Sequence, residues 1–155
     1  MSGEPFSILL LEERHLSEVA EIEGLCFSEP WSEQSLRLLL GDGGFGVVAV
    51  SEGRVLGYGG MTYVLDEGSV TNIAVHPDAR RQGIGRAVTR ELLRLSRTRG
   101  VACVFLEVRE SNLSAISLYR SEGFEGCGVR KNFYRHPVES ALLMVYRATE
   151  GEENT

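Results

Sequence analysis

Two glycines stand among arginines in the stretch Arg80-Arg81-Gln82-Gly83-Ile84-Gly85-Arg86. Glycine carries no Cβ, so backbone N–H groups there can close around an anion. At the start of a helix, unsatisfied amides and the positive end of the helix dipole add to that attraction and suit a pyrophosphate. The alternative is a tight turn that serves only the path of the chain. Two other phosphate-binding signatures are excluded. Walker A requires Gly-Lys-Ser/Thr, whereas Gly85 is followed by Arg86-Ala87; the dinucleotide fingerprint requires glycine at the sixth position, where Val88 stands, and an opening strand near the N-terminus.

Glu107 is the one charged residue in the apolar run Val101 to Val108. A carboxylate near the C-terminal end of a buried strand is costly unless it is paired or functional. It can form a salt bridge with Arg109 or Arg130. It can also serve as a general base, because ligands of open α/β sheets sit beyond strand C-termini and partial burial raises a carboxylate's pKa toward neutrality. Such a base removes the proton of an ammonium nucleophile, directly or through water. Tyr119 follows twelve residues later on a helical face shared with Ile116. It either packs on the sheet or presents a phenol that gives a proton to a leaving thiolate. Asn112 between them is a helix cap or a ligand contact.

These residues need elements to hold them. Phe6–Leu11, Phe45–Val50, Val55–Val64 and Val70–Val75 read as strands, the middle two forming a hairpin through Ser51-Glu52-Gly53-Arg54. Glu12 to Phe27 has helical spacing, Pro30-Trp31-Ser32 breaks it, and Ser32 can cap a second helix. After His76-Pro77-Asp78 the glycine stretch opens a third helix, with Ile84, Ala87, Val88, Leu92 and Leu95 on one face and Arg86, Arg90, Arg94 and Arg97 on the other; Gly100 ends it. Val101–Val108 is a strand whose apolar run predicts burial on both faces. A short helix from Ser111 or Asn112 to Gly123 and strands Phe124–Arg130 and Ser140–Tyr146 complete the chain. Strand–helix–strand pieces amid hairpins predict a mixed α/β fold, a sheet flanked by helices.

At 155 residues, one domain over 1–149 is expected, with a frayed tail at 150–155. No apolar run approaches the roughly 18 residues that cross a bilayer. The polar start Met1-Ser2-Gly3-Glu4-Pro5 is no signal peptide, so the expected compartment is the cytoplasm, without membrane partners. Cys26, Cys103 and Cys127 are far apart and form no C-x-x-C pair, which argues against a disulfide framework or zinc site; Cys103 reads as a core residue. His15, His76 and His136 show no partner spacing, and no metal is expected.

Charge divides the chain. Residues 1–79 carry 13 acids and 3 bases, a balance of −10; residues 80–155 carry 9 acids and 13 bases, a balance of +4. One face for an anion and another for a cation is the functional reading, a solvated arginine-rich helix the plain one. A pI near 5.2 argues against nucleic acid as a partner.

Four ordered stretches now coincide. Thr71-Asn72-Ile73-Ala74-Val75-His76-Pro77, Arg80-x-x-Gly83-x-Gly85-Arg86, Leu106-Glu107-Val108-Arg109-x-Ser111-Asn112 and Leu118-Tyr119-x-x-x-Gly123-Phe124 together resemble the GNAT acetyltransferase superfamily over nearly the whole chain. Within it the likeness is greatest to the branch that acetylates the N-terminal alanine of a small-subunit ribosomal protein. The resemblance implies a seven-stranded, mostly antiparallel sheet with a splayed parallel pair, 69–76 and 101–108, and about four helices. It implies acetyl-CoA as co-substrate: backbone groups of Ile73, Ala74 and Val75 on the pantetheine and acetyl carbonyl, Arg80, Arg81, Gln82, Gly83, Ile84, Gly85 and Arg86 around the pyrophosphate, and Asn112 and Tyr119 also in contact. Glu107 would be the base and Tyr119 the acid of a direct transfer. On the acceptor side Trp31, Asn132 and Tyr134 would touch the substrate, although Pro30-Trp31-Ser32 also reads as a cap plus a core indole. The family's Arg-x-x-Tyr-Tyr appears as Arg130-Lys131-Asn132-Phe133-Tyr134, one hydroxyl fewer.

The leading expectation is thus an acetyl-CoA-dependent N-acetyltransferase acting on a protein N-terminus or basic peptide, foremost a ribosomal-protein alanine. The alternatives are transfer to a lysine or small amine, or a CoA-binding module without turnover.

Overall fold

The computed structural model describes residues 5–148; residues 1–4, residue 149 and the expected tail 150–155 lie outside them. Seven strands form one sheet: β1 (Ser7–Leu10), β2 (Gly44–Ser51), β3 (Arg54–Val64), β4 (Glu67–Val75), β5 (Cys103–Arg109), β6 (Glu125–Tyr134) and β7 (Glu139–Arg147). Their order is β1-β2-β3-β4-β5-β7-β6. Every neighbouring pair is antiparallel except β4 and β5. The helices are α1 (Leu16–Cys26), α2 (Glu33–Leu36, continued by a 3-10 turn Arg37–Leu40), α3 (Ile84–Thr98) and α4 (Leu113–Ser121). None among the described residues is long and apolar enough to cross a membrane.

Helices cover both faces. Leu16, Val19 and Ile22 of α1 pack with Leu36, Leu39, Val48, Val55, Tyr58 and Ala74 on one side. On the other, Ile84, Val88 and Leu92 of α3 and Ile116 and Tyr119 of α4 join Val104, Leu106, Val108 and Met144. The helix expected from Glu12 begins instead with a 3-10 turn, Glu13–His15, because buried His15 turns its Nδ1 back to accept the Glu12 N–H (2.9 Å). The third helix starts later than the glycine stretch suggests, at Ile84, after a 3-10 turn at Pro77–Ala79.

One expectation is corrected. β5 is not buried on both faces: Val104, Leu106 and Val108 are buried beneath the α3/α4 layer, while Cys103, Phe105, Glu107 and Arg109 are only half covered. Alternating side chains point to opposite faces, and α1 packs over β3 and β4 rather than over β5. Cys103 is accordingly half-buried, not a core residue.

Candidate active site

The parallel pair is short. Glu67, Gly68 and Ser69 lie opposite Cys103, Val104 and Phe105, and pairing stops there. A bulge in β4 accompanies the separation: Gly60 faces Asn72 and Met61 faces Val70, leaving Thr71 as the extra residue. Beyond it the strands diverge and a gap opens between residues 70–75 and 106–109. His76 N–H donates to Leu56 C=O on the β3 side (2.8 Å). Successive backbone groups alternate between strand edges, so Ala74 shares that side while Ile73 and Val75 turn their N–H and C=O toward the gap. The Val75 carbonyl there accepts from Arg80 Nε (3.3 Å) and Cys26 Sγ (3.4 Å).

Two cavities of about 580 and 570 Å³ occupy the gap and share Cys26, Phe27, Ile73, Asn112, Ala115 and Tyr119 as walls. The second is bordered by Arg80, Arg81, Gly83, Ile84 and Gly85. Gly83 caps α3 with φ 82°, a left-handed conformation that favours glycine, and a Cβ there would meet only open space. The helix's first turn bonds through Ala87 N–H to Gly83 C=O (3.0 Å), so the amides before it have no partner within the helix. Exposed Gln82 and Arg86 do not line the cavity. The Arg86 guanidinium instead reaches Ser121 Oγ (2.9 Å) and, with Arg90, the sheltered Glu122 carboxylate.

Glu107, Asn112, Tyr119 and Tyr134 all line the first cavity. Glu107 is paired with Arg130 (3.2 Å), one of the two arginines expected; Arg109 is engaged elsewhere. It stacks on the Tyr134 ring, pairs with Glu139 (3.1 Å) and donates to the carbonyls of Arg135 and Pro137, holding the β6–β7 turn against β5. Tyr119 is buried, its ring tilted against Phe124. Burial, and then the neighbouring Tyr134, push its phenol well above the ordinary tyrosine range, so it keeps its proton. Burial and the Glu107 charge push Tyr134 up to about 12. Asn112 is the helix cap, its Oδ1 accepting from Ala115 N–H (3.2 Å), and the residue also borders both cavities.

At the far end, Trp31 lines the first cavity and packs on the α1 core, while Ser32 Oγ caps α2 by accepting from Ser35 N–H (3.1 Å). Phe133 and Tyr134 form the opposite lip. Ser28 Oγ donates across to Arg135 C=O (3.3 Å), joining the two lips. Asn132 stands apart: exposed at φ 54°, it donates its N–H to Ser140 Oγ (3.2 Å) and does not line the cavity.

Sequence reasoning missed Glu23. Its fully buried carboxylate accepts from Trp31 N–H (2.8 Å), Asn72 Nδ2 (2.9 Å) and the Tyr58 hydroxyl. Its spacing, four residues after Val19 and seven after Leu16, sets it on the apolar stripe of α1 and apart from Glu18 and Glu21, but its partners lie 8, 35 and 49 residues away and leave no local signal.

Comparison with known proteins bears on this geometry. The family model for the acetyltransferase (GNAT) family matches residues 16–124. A relative in Escherichia coli K12, named [ribosomal protein bS18]-alanine N-acetyltransferase, is 38% identical over 140 residues, 89% of this chain and 95% of its own. The crystal structure of the E. coli ribosomal-protein-S18-alanine N-acetyltransferase superposes with a TM-score of 0.85 at 36% identity, covering 94% of this chain and 97% of that one. A phosphinothricin acetyltransferase from Sinorhizobium meliloti, solved in complex with AcCoA, shares the fold (TM-score 0.80, 23% identity, 94% and 90% covered). With a short parallel pair opening onto a glycine-capped helix, and with these matches across most of its length, the chain belongs to the GNAT family of acetyltransferases and is an N-acetyltransferase.

Proposed function

We propose that this protein transfers the acetyl group of acetyl-CoA to the α-amine at a protein N-terminus, with the N-terminal alanine of a ribosomal protein as its foremost acceptor. The observation that carries the reading is the early end of β4–β5 pairing, which leaves Ile73 and Val75 facing a gap flanked by Gly83 on one side and by Glu107 and Tyr119 on the other. The activity named for the E. coli relative supports the acceptor, and the AcCoA complex of the fold neighbour supports the donor.

The residues present fit such a donor. Open space at Gly83 and the free amides of the first α3 turn suit a pyrophosphate, with Arg80 and Arg81 supplying positive charge. Bound acetyl-CoA supplies a thioester whose carbonyl carbon is open to attack by an amine. Because Cys26 and Arg80 already occupy the Val75 carbonyl, the backbone hold falls to Ile73 and the Val75 N–H. Glu107 takes a proton from the acceptor ammonium, directly or through water, and the freed nitrogen adds to the carbonyl carbon. Backbone N–H groups of β4 face the carbonyl oxygen as negative charge gathers there. Tyr119 gives its proton to the sulfur as the C–S bond breaks, and the nitrogen then sheds its second proton, leaving a neutral amide and restoring the phenol. We place the reaction in the cytoplasm, a reading supported by three unpaired cysteines and by the ribosomal substrate of the relative.

The test is acetyl-CoA with a panel of acceptors: an alanine-initiated bS18 peptide, the same peptide N-terminally blocked but bearing lysine, and a polyamine. Mass spectrometry should find acetylation on the free α-amine of the first. Modification of lysine or polyamine alone would move the acceptor class; acetyl-CoA binding with no product would leave a binding module.

A further inference from the structure

Glu23 is the one fully buried carboxylate among the described residues, and its partners include no cation. Burying such a group is costly, and replacing it together with all its polar partners by apolar side chains is often neutral or stabilising. What a leucine cannot do is fix directions. The Oε1 atom accepts from the backbone N–H of Trp31, in the loop after α1; Oε2 accepts from the Tyr58 hydroxyl of β3 and the Asn72 amide of β4. Three separate elements therefore meet on one side chain. Two of its partners, Trp31 and Asn72, line the first cavity, and Asn72 precedes Ile73, whose backbone faces the gap.

We propose that Glu23 is a positioning residue for acceptor binding, a clasp that holds the Trp31 lip at a fixed place relative to the strand carrying the donor. This rests on the α-amine transfer proposed above. Glu23 touches neither substrate, and its effect passes through Trp31 and Asn72.

The test uses two substitutions. Glu23→Gln keeps the shape but replaces one acceptor oxygen with a donor, so the Trp31, Tyr58 and Asn72 donors can no longer all be satisfied. Its KM for the acceptor peptide should rise roughly tenfold, the scale of one lost hydrogen bond to a charged group. The Kd for acetyl-CoA should stay within about twofold by calorimetry, since no cofactor contact changes. Trp31 is the only tryptophan, so acrylamide quenching reads the lip directly and should increase. Glu23→Leu leaves all three donors without their acceptor, so it should lower Tm and show at least the same rise in KM and quenching. A purely structural role would move Tm and leave KM and quenching as in the wild type, which overturns the proposal. Should both variants fail to fold, Tyr58→Phe removes a single donor and should raise KM and quenching by a smaller factor; no change in either overturns the proposal equally. A wild-type protein inactive on every peptide would sink the α-amine reading instead, and quenching alone would then decide whether the clasp exists.

Discussion

At the scale of the residue, the reaction asks for one group that accepts a proton and one that gives it, both against the gap. Glu107 and Tyr119, which both line the first cavity, are the residues we propose for those roles, and exchanging either tests it. Glu107→Gln should leave acetyl-CoA affinity intact and lower kcat by about a hundredfold, within the span a general base contributes. The loss should be greatest at low pH, because raising the pH strips the acceptor ammonium without help; stopped assays across pH 6–9 read both features, and a wild-type rate would remove the base. Tyr119→Phe should slow transfer by a similar factor with Tm nearly unchanged, since the ring contact with Phe124 survives; a collapse of Tm would make the ring's packing its main role. The residues legible in the sequence are those whose meaning is local: a carboxylate inside an apolar run, glycines beside arginines. Arg86 shows the limit. Its spacing sets it beside the glycine loop, yet Glu122, 36 residues on, takes its guanidinium. Glu23 shows the same limit from the other side.

At the scale of the element, all seven strands and four helices are legible because hydrophobic period and turn residues are local signals. What was not legible is how closely they approach. β3 carries Gly57, Gly59 and Gly60, and α3 seats directly on the first two: a Cβ on Gly59 would stand 2.7 Å from both Val88 Cγ1 and Leu92 Cδ1. Gly59→Ala should therefore cost about 1–3 kcal/mol in urea unfolding, the usual range for overpacking. It should also weaken acetyl-CoA binding, because α3 moves with Gly83 at its tip. Unchanged stability would mean that α3 yields without resistance. The half-covered face of β5 has a similar origin: composition describes the strand, but only the position of α1 decides which of its faces is covered.

At the scale of the molecule, the imbalance of −10 and +4 acquires a location. The first cavity counts Glu29 and Glu107 among its walls against Arg109, and the second has Arg80 and Arg81 with no acid. In the reaction we propose, this distribution would draw a basic peptide to one end and an anionic donor to the other. Acceptor KM for a basic N-terminal peptide should rise as salt increases from about 50 to 500 mM, since screening shortens the reach of exposed charge; a flat response would confine recognition to short-range contacts.

The early end of β4–β5 pairing has a mechanical consequence as well. It divides the sheet into two leaves, β1 to β4 and β5 with β7 and β6, stitched at one margin and bridged by helices. A molecule lodged along the seam acts as the missing stitching, and at a hundredfold excess over its Kd it adds about 2.7 kcal/mol to the folded state. Amide hydrogen exchange should accordingly slow at 73–75 and 106–109 when acetyl-CoA is added, while the outer strands β1 and β6 keep their rates. The enzyme would then be most nearly a single body only while its donor is aboard.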